Sequence, residues 1–137
     1  MRDKDYRLDD QIGFKLRLAN QKHLEIFSLA MPELTPRQFA VLAKLLEEGT
    51  LSQNHLGRQI AMDAATTKGV IARLSRKGYV TATPSQTDRR RLDIALTETG
   101  RATVQAAIAI ARTISSRTAR NLTKRELLRL LTLLDKL

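Results

Sequence analysis

Apolar residues recur at helical spacing along almost the whole of this chain, and that pattern breaks once, between residues 79 and 96. Such a pattern favours packed helices carrying one small β element. Residues 8–31 read as a single long helix: Ile12, Leu16, Ala19, His23, Ile26 and Ala30 alternate in steps of four and three and form one stripe. Met31-Pro32 ends it, because the residue before proline is pushed out of helical geometry. Thr35 is placed to cap a second helix, with Pro36 at its first position and Gln38 where a capping box needs it. Phe39, Leu42, Leu45 and Leu46 give that helix its apolar face, and Gly49 ends it. Ser52 caps a short third helix with Leu56 and Ile60 as its buried pair. Asp63 caps a fourth, whose inner face is Val70, Ile71 and Leu74 and which Gly78 stops.

At the interruption, residues 79–82 read as a short strand, and residues 92–96 alternate like a half-buried one. Residues 84–91 between them are polar and hold three consecutive arginines, so the expected element is a hairpin with a basic tip. Helical spacing resumes with Thr97 as cap and runs to about Ala119 through Val104, Ala107, Ile108, Ala111 and Ile114. A last helix opens with the capping box Thr123 to Glu126. It carries Leu127, Leu130, Leu131, Leu134 and Leu137, a stripe widened by Leu128 and Leu133. A terminal helix this apolar calls for a partner surface, and a second copy of the chain would supply one. The expected fold is mainly α with a small β-hairpin wing, in a single domain.

Composition narrows the chemistry. With no cysteine, the chain has no disulfide and no thiolate metal site, and His23 and His55 are too few for a His-rich one, so no metal or cofactor is expected. No nucleophile–base pair or phosphate-binding loop points to an enzyme. No run of about 18 apolar residues offers a membrane span. The first ten residues are charged and lack a signal-peptide core, which fits a cytoplasmic protein. The formal net charge of +10 favours a polyanionic partner, nucleic acid before an anionic membrane.

Two short capped helices followed by a basic hairpin suit double-stranded DNA, because the major groove admits a helix and the hairpin can reach the neighbouring minor groove. With Val70, Ile71 and Leu74 turned inward, the other side of residues 63–77 carries Ala65, Thr66, Lys68, Gly69, Arg73 and Arg76. Arg73 can pair bidentately with a guanine edge, and Thr66 can meet a thymine methyl or a phosphate. Lys68 and Arg76 are placed for phosphates, which set register without reading sequence. In the hairpin tip, Arg89, Arg90 and Arg91 suit a narrow, electronegative minor groove. Asp88 would repel phosphate, so it is expected to organise the wing, holding a neighbouring arginine in its binding rotamer, with Arg101 as a second possible partner.

Over residues 34–102 the chain resembles the MarR family of bacterial transcriptional regulators. The resemblance lies in Leu34-Thr35-Pro36-Arg37-Gln38-Phe39, Leu51-Ser52-Gln53-Asn54-His55-Leu56-Gly57 and Met62-Asp63-Ala64-Ala65-Thr66-Thr67. It continues in Leu74-Ser75-Arg76-Lys77-Gly78-Tyr79-Val80, Asp88-Arg89-Arg90-Arg91 and Leu96-Thr97-Glu98-Thr99-Gly100. It implies a winged helix-turn-helix at residues 34–100, flanked by dimerisation helices at 1–33 and 101–137. It further implies a homodimer on a palindromic operator, most often a repressor, released by a small aromatic acid or phenol bound between the two parts. Gly69 stands where family members usually carry a polar or basic residue. The Leu8 to Phe14 opening resembles a subgroup that includes repressors of nicotinate catabolism.

For such an effector the candidate contacts are Arg17 for a carboxylate, Phe14 and Phe39 as aromatic walls, and His23. His23 also reads as a core or interface histidine satisfied by one hydrogen bond. His55 reads as structural or phosphate-adjacent. The competing class is a protein-interaction adaptor that keeps the winged fold without binding DNA. Arg73 and the arginine tip argue against it, and a salt-dependent gel shift on duplex DNA separates the two.

Overall fold

The computed structural model describes residues 5–137, which form two compact units. One comprises residues 31–110; the other joins the described residues up to Ala30 to residues 111–137.

Within residues 31–110 the caps set the helix starts. In α2 (Pro36–Glu48), which follows the helix α1 (Ile12–Ala30) of the other unit in the chain, Thr35 Oγ1 accepts the Gln38 N–H and the Gln38 side-chain oxygen accepts the Thr35 N–H, closing the capping box. Gly49 ends α2 at φ 79°, a left-handed conformation that glycine adopts without a Cβ penalty. Ser52 caps α3 (Gln53–Gln59), and Asp63 caps α4 (Ala64–Arg76). The inner face of α4 is Thr67, Val70, Ile71 and Leu74, spaced three and four apart. Ile60, expected as a buried partner of Leu56, is only half-buried, because α3 ends at Gln59 and Ile60 already lies in the turn.

Three strands complete the unit: β1 (Leu51–Ser52), β2 (Val80–Pro84) and β3 (Leu92–Leu96), in the order β1-β3-β2 and antiparallel throughout. The hairpin register runs from Val80 opposite Leu96 to Pro84 opposite Leu92. The first strand thus begins one residue later than expected and extends to the proline. Tyr79 instead bridges to the following helix, its carbonyl accepting the Thr97 N–H at 3.1 Å. β1 was not foreseen: two residues carry no alternation to read, and Ser52 doubles as a helix cap. Val41, Leu42, Leu45, Leu56, Leu74 and Ile94 are fully or almost fully buried and make the core beneath α4 and the sheet. Burying each such side chain stabilises the fold by about 2 kcal/mol.

Two close approaches hold the elements together. A Cβ on Gly57 of α3 would sit 2.8 Å from the Thr67 hydroxyl, so α3 and α4 cross where one of them has no side chain. A Cβ on Gly100 would collide with the Tyr79 backbone, its carbonyl oxygen foremost. There α5 (Glu98–Thr118) starts against the chain entering β2, and the Thr97 hydroxyl donates to the Gly78 carbonyl at 2.6 Å while accepting the Gly100 N–H.

The other unit contains α1 (Ile12–Ala30), the end of α5 and α6 (Lys124–Leu134). The long first helix expected over residues 8–31 is broken: Leu8–Asp10 form a 3-10 turn, and Gln11 is extended at φ −86°, ψ 137°. The Gln11 side chain donates to the Arg7 carbonyl, and its own carbonyl receives the Lys15 N–H that opens α1. Thr123 and Glu126 form the expected capping box on α6. Phe27 and Ile114 are buried, whereas Ile12 and Leu16 on the expected stripe of α1 are exposed. So are Leu128, Leu130, Leu131, Leu133, Leu134 and Leu137 of the last helix and its end.

Candidate nucleic-acid interface

The outer face of α4 follows from its cap and its core face. Asp63 accepts the Thr66 N–H at 2.7 Å, and this bond holds the Asp63 carboxyl below the usual aspartate range. One residue further on, Thr67 is buried and turns its hydroxyl back to the Asp63 carbonyl at 2.8 Å. With Thr67, Val70, Ile71 and Leu74 committed inward, Ala65, Lys68, Gly69, Arg73 and Arg76 are exposed, and Thr66 is half-buried. Thirteen residues give α4 a length of about 20 Å. Ala65, Gly69 and Arg73 are four apart, so two small residues and one arginine share a line along the helix. Arg73 and Arg76 stand in the last turn, where the helix dipole favours cations. Lys77, at the C-cap, donates to the Glu33 carbonyl at 2.8 Å, a contact across 44 residues that the sequence reading did not foresee.

In the wing, the tip is organised by Ser85 and Asp88. Ser85 is buried; its N–H donates to the Arg91 carbonyl at 2.8 Å, and its hydroxyl accepts the N–H groups of Thr87 and Asp88. The Asp88 carboxylate accepts the Arg90 N–H at 3.0 Å, and its carbonyl accepts that of Arg91. This corrects the expectation for Asp88: it grips backbone rather than a guanidinium. Among the described residues the one ion pair within 4.0 Å is Lys44 with Glu47, so Asp88 pairs with neither a tip arginine nor Arg101. The short side chain of Asp88 reaches the N–H two residues on before it can reach a guanidinium. Arg89, Arg90 and Arg91 are left exposed.

A groove of about 330 Å³ separates α4 from the start of α2, lined by Thr35, Arg37 and Gln38 on one side and Ala65, Thr66, Gly69, Val70 and Arg73 on the other. His55 lies outside it; its N–H is capped by Ser52 and its Nε2 is 3.3 Å from Gln59 Nε2.

The expected effector residues fall in both units. In the unit of α1, the Arg17 guanidinium lies 5.3 Å from the centre of the Phe14 ring, a cation–π contact. His23 Nδ1 is 2.9 Å from the Thr118 hydroxyl, and its ring lies 6.2 Å from that of Phe27. Thr118 also borders a recess of about 460 Å³ whose charged lining is Lys22, Arg117 and Arg120 together with Glu25, none of them a site residue expected from the sequence. Phe39 is on α2 in the other unit and is half-buried. Among the described residues no cluster of His, Asp and Glu is arranged to hold a metal, and no helix is long and apolar enough to cross a membrane.

Residues 34–92 match the sequence profile of the MarR family. Over 134 residues the chain is 37% identical to the HTH-type transcriptional repressor NicR of Pseudomonas putida, across 96% of this chain and 85% of that protein. The chain belongs to the MarR family. Its winged helix-turn-helix architecture is shared by the crystal structure of a probable transcriptional regulator from Pseudomonas aeruginosa. That structure has a TM-score of 0.92 and 44% identity, over 95% of this chain and 98% of that one. A structure of BpsR from Bordetella bronchiseptica, whose DNA binding is regulated by 6-hydroxynicotinic acid, has a TM-score of 0.92 and 34% identity. The match covers 96% of this chain and 95% of BpsR. This MarR-family member is accordingly a transcriptional regulator, and the fold class expected from its patterning holds.

Proposed function

We propose that this regulator is a homodimer that places α4 of each protomer in the major groove of a palindromic operator and its arginine wing in the adjacent minor groove. In this reading it represses transcription and leaves DNA when a small aromatic acid binds. Residues 34–100 do the DNA binding, and 1–33 and 101–137 do the pairing. The observation that carries it is the composition of the α4 outer face. Ala65, Thr66, Lys68, Gly69, Arg73 and Arg76 are kept off the core by one buried stripe, and three exposed arginines follow in the wing. The leucines that α6 leaves uncovered support pairing with a second copy. BpsR and its 6-hydroxynicotinic acid support a small aromatic acid as effector; Phe14, Arg17 and His23, which share one unit, are the contacts proposed for it.

The test is fluorescence anisotropy on duplexes selected from a random pool by the purified protein, followed by titration with 6-hydroxynicotinic, nicotinic and benzoic acids. Nanomolar, salt-sensitive binding to a palindrome and release by at least one acid are expected. Failure to bind any duplex in dilute salt would sink the DNA reading and favour an adaptor. Binding that no aromatic acid weakens would remove the effector arm alone.

A further inference from the structure

Arg37 is the second residue of α2, and α4 is the helix it faces. It borders the groove over Gly69 described above, and also a second groove of about 320 Å³ that runs from Pro36 and Ala40 to Ile60, Met62 and Asp63. Arg37 therefore stands on the rim between them, beside the N-terminal half of α4. Apart from Val70, the α4 residues that line the first groove are on the face assigned to DNA, and Arg73 lies along the same groove. The groove is open at Gly69, where an added Cβ would meet nothing within 4 Å. Arg37 is exposed and makes no ion pair within 4.0 Å among the described residues, so its guanidinium is not committed to any of their carboxylates.

A helix lying in the major groove is flanked by the phosphates of both strands. A guanidinium beside such a helix can take a phosphate in two parallel hydrogen bonds, and the start of α2 adds a favourable dipole. We propose that Arg37 is a further DNA-backbone contact, gripping the phosphate strand that runs alongside α4, opposite Arg73 across the groove that Gly69 keeps open. This rests on the DNA reading above. The competing role is structural: the positive charge of Arg37 also favours the ionised Asp63 carboxylate that caps α4.

The two roles separate in the salt dependence. Binding of wild type, Arg37→Ala and Arg37→Lys to the selected operator and to an unrelated duplex is followed from 50 to 200 mM KCl (about that range), with thermal unfolding of each free protein. Arg37→Ala is expected to weaken both duplexes roughly tenfold and to lower the log–log salt slope by about 0.9 per protomer, with an unchanged melting temperature. Arg37→Lys is expected to keep the slope. An unchanged affinity and slope in Arg37→Ala, beside a wild type that binds steeply, overturns this inference alone. Weaker binding with the wild-type slope and a lower melting temperature overturns it in favour of the structural role. A wild type that binds neither duplex overturns the DNA reading and this inference together.

Discussion

Replacing glycine by alanine at two positions of this chain has opposite consequences, and the structure sets both signs. At Gly100 the new methyl would lie 2.8 Å from the Tyr79 carbonyl carbon and 3.0 Å from its Cα, and closer still to its oxygen. The oxygen contact sets the displacement: a carbon and a carbonyl oxygen do not approach within about 3 Å, so α5 and the chain entering β2 must part by more than about 1 Å. Neither side yields easily, because Tyr79 accepts the Thr97 N–H and Gly78 accepts the Thr97 hydroxyl. Overpacking of this kind costs about 1–3 kcal/mol, and weakening one of these hydrogen bonds adds about 1 kcal/mol, so about 3 kcal/mol is expected. At Gly69 the methyl meets nothing within 4 Å on an exposed helix interior, where alanine is favoured by about 0.5–1 kcal/mol. For a chain of 137 residues, unfolding entropy makes 1 kcal/mol equivalent to about 3.5 °C. Thermal unfolding followed by circular dichroism, at one protein concentration because association moves the midpoint, should show Gly100→Ala about 10 °C below wild type and Gly69→Ala about 2–3 °C above it. A Gly100→Ala midpoint within about 2 °C of wild type would refute the packing argument, and a lowered Gly69→Ala midpoint would refute the claim of open space.

The remaining expectations concern the interface, the cap and the last helix. Arg90→Ala should weaken binding to every duplex and lower the salt slope by about 0.9 per lost contact, whereas Arg73→Ala should also relax base preference; equal losses on all sequences for both would remove Arg73 as a reader. The Asp63 carboxyl titrates lower in the folded chain than in the unfolded one, chiefly through the Thr66 N–H. Its contribution to stability is therefore full above the ordinary aspartate range and lost as pH falls through the folded value. Asp63→Asn, which keeps an accepting oxygen, should flatten that acid dependence in urea melts, and an unaltered pH profile would count against the cap. Leu131, half exposed on α6, is expected to lie in the dimer contact, so Leu131→Asp should shift the protein to monomer in sedimentation; an unchanged mass would move the contact elsewhere.

What could be read from the amino-acid sequence alone was what depends on near neighbours. Thr35 with Gln38, Ser52, Asp63 and Thr123 with Glu126 each bond to a backbone group three residues away, so the starts of α2, α3, α4 and α6 were legible without any partner segment. The buried stripe of α4 was legible for the same reason, and with it the cations on the opposite face. Tertiary structure decided what depends on distant ones. β1 exists because Leu51 meets Ile94, and Lys77 is tied to Glu33. Gly100 matters only because Tyr79 passes against it, and Arg37 stands beside α4 only once α2 has packed there. Local hydrogen bonds cost little chain entropy and leave a signature within four residues. Contacts between remote segments require loops to close, and the residues that make them carry no local mark.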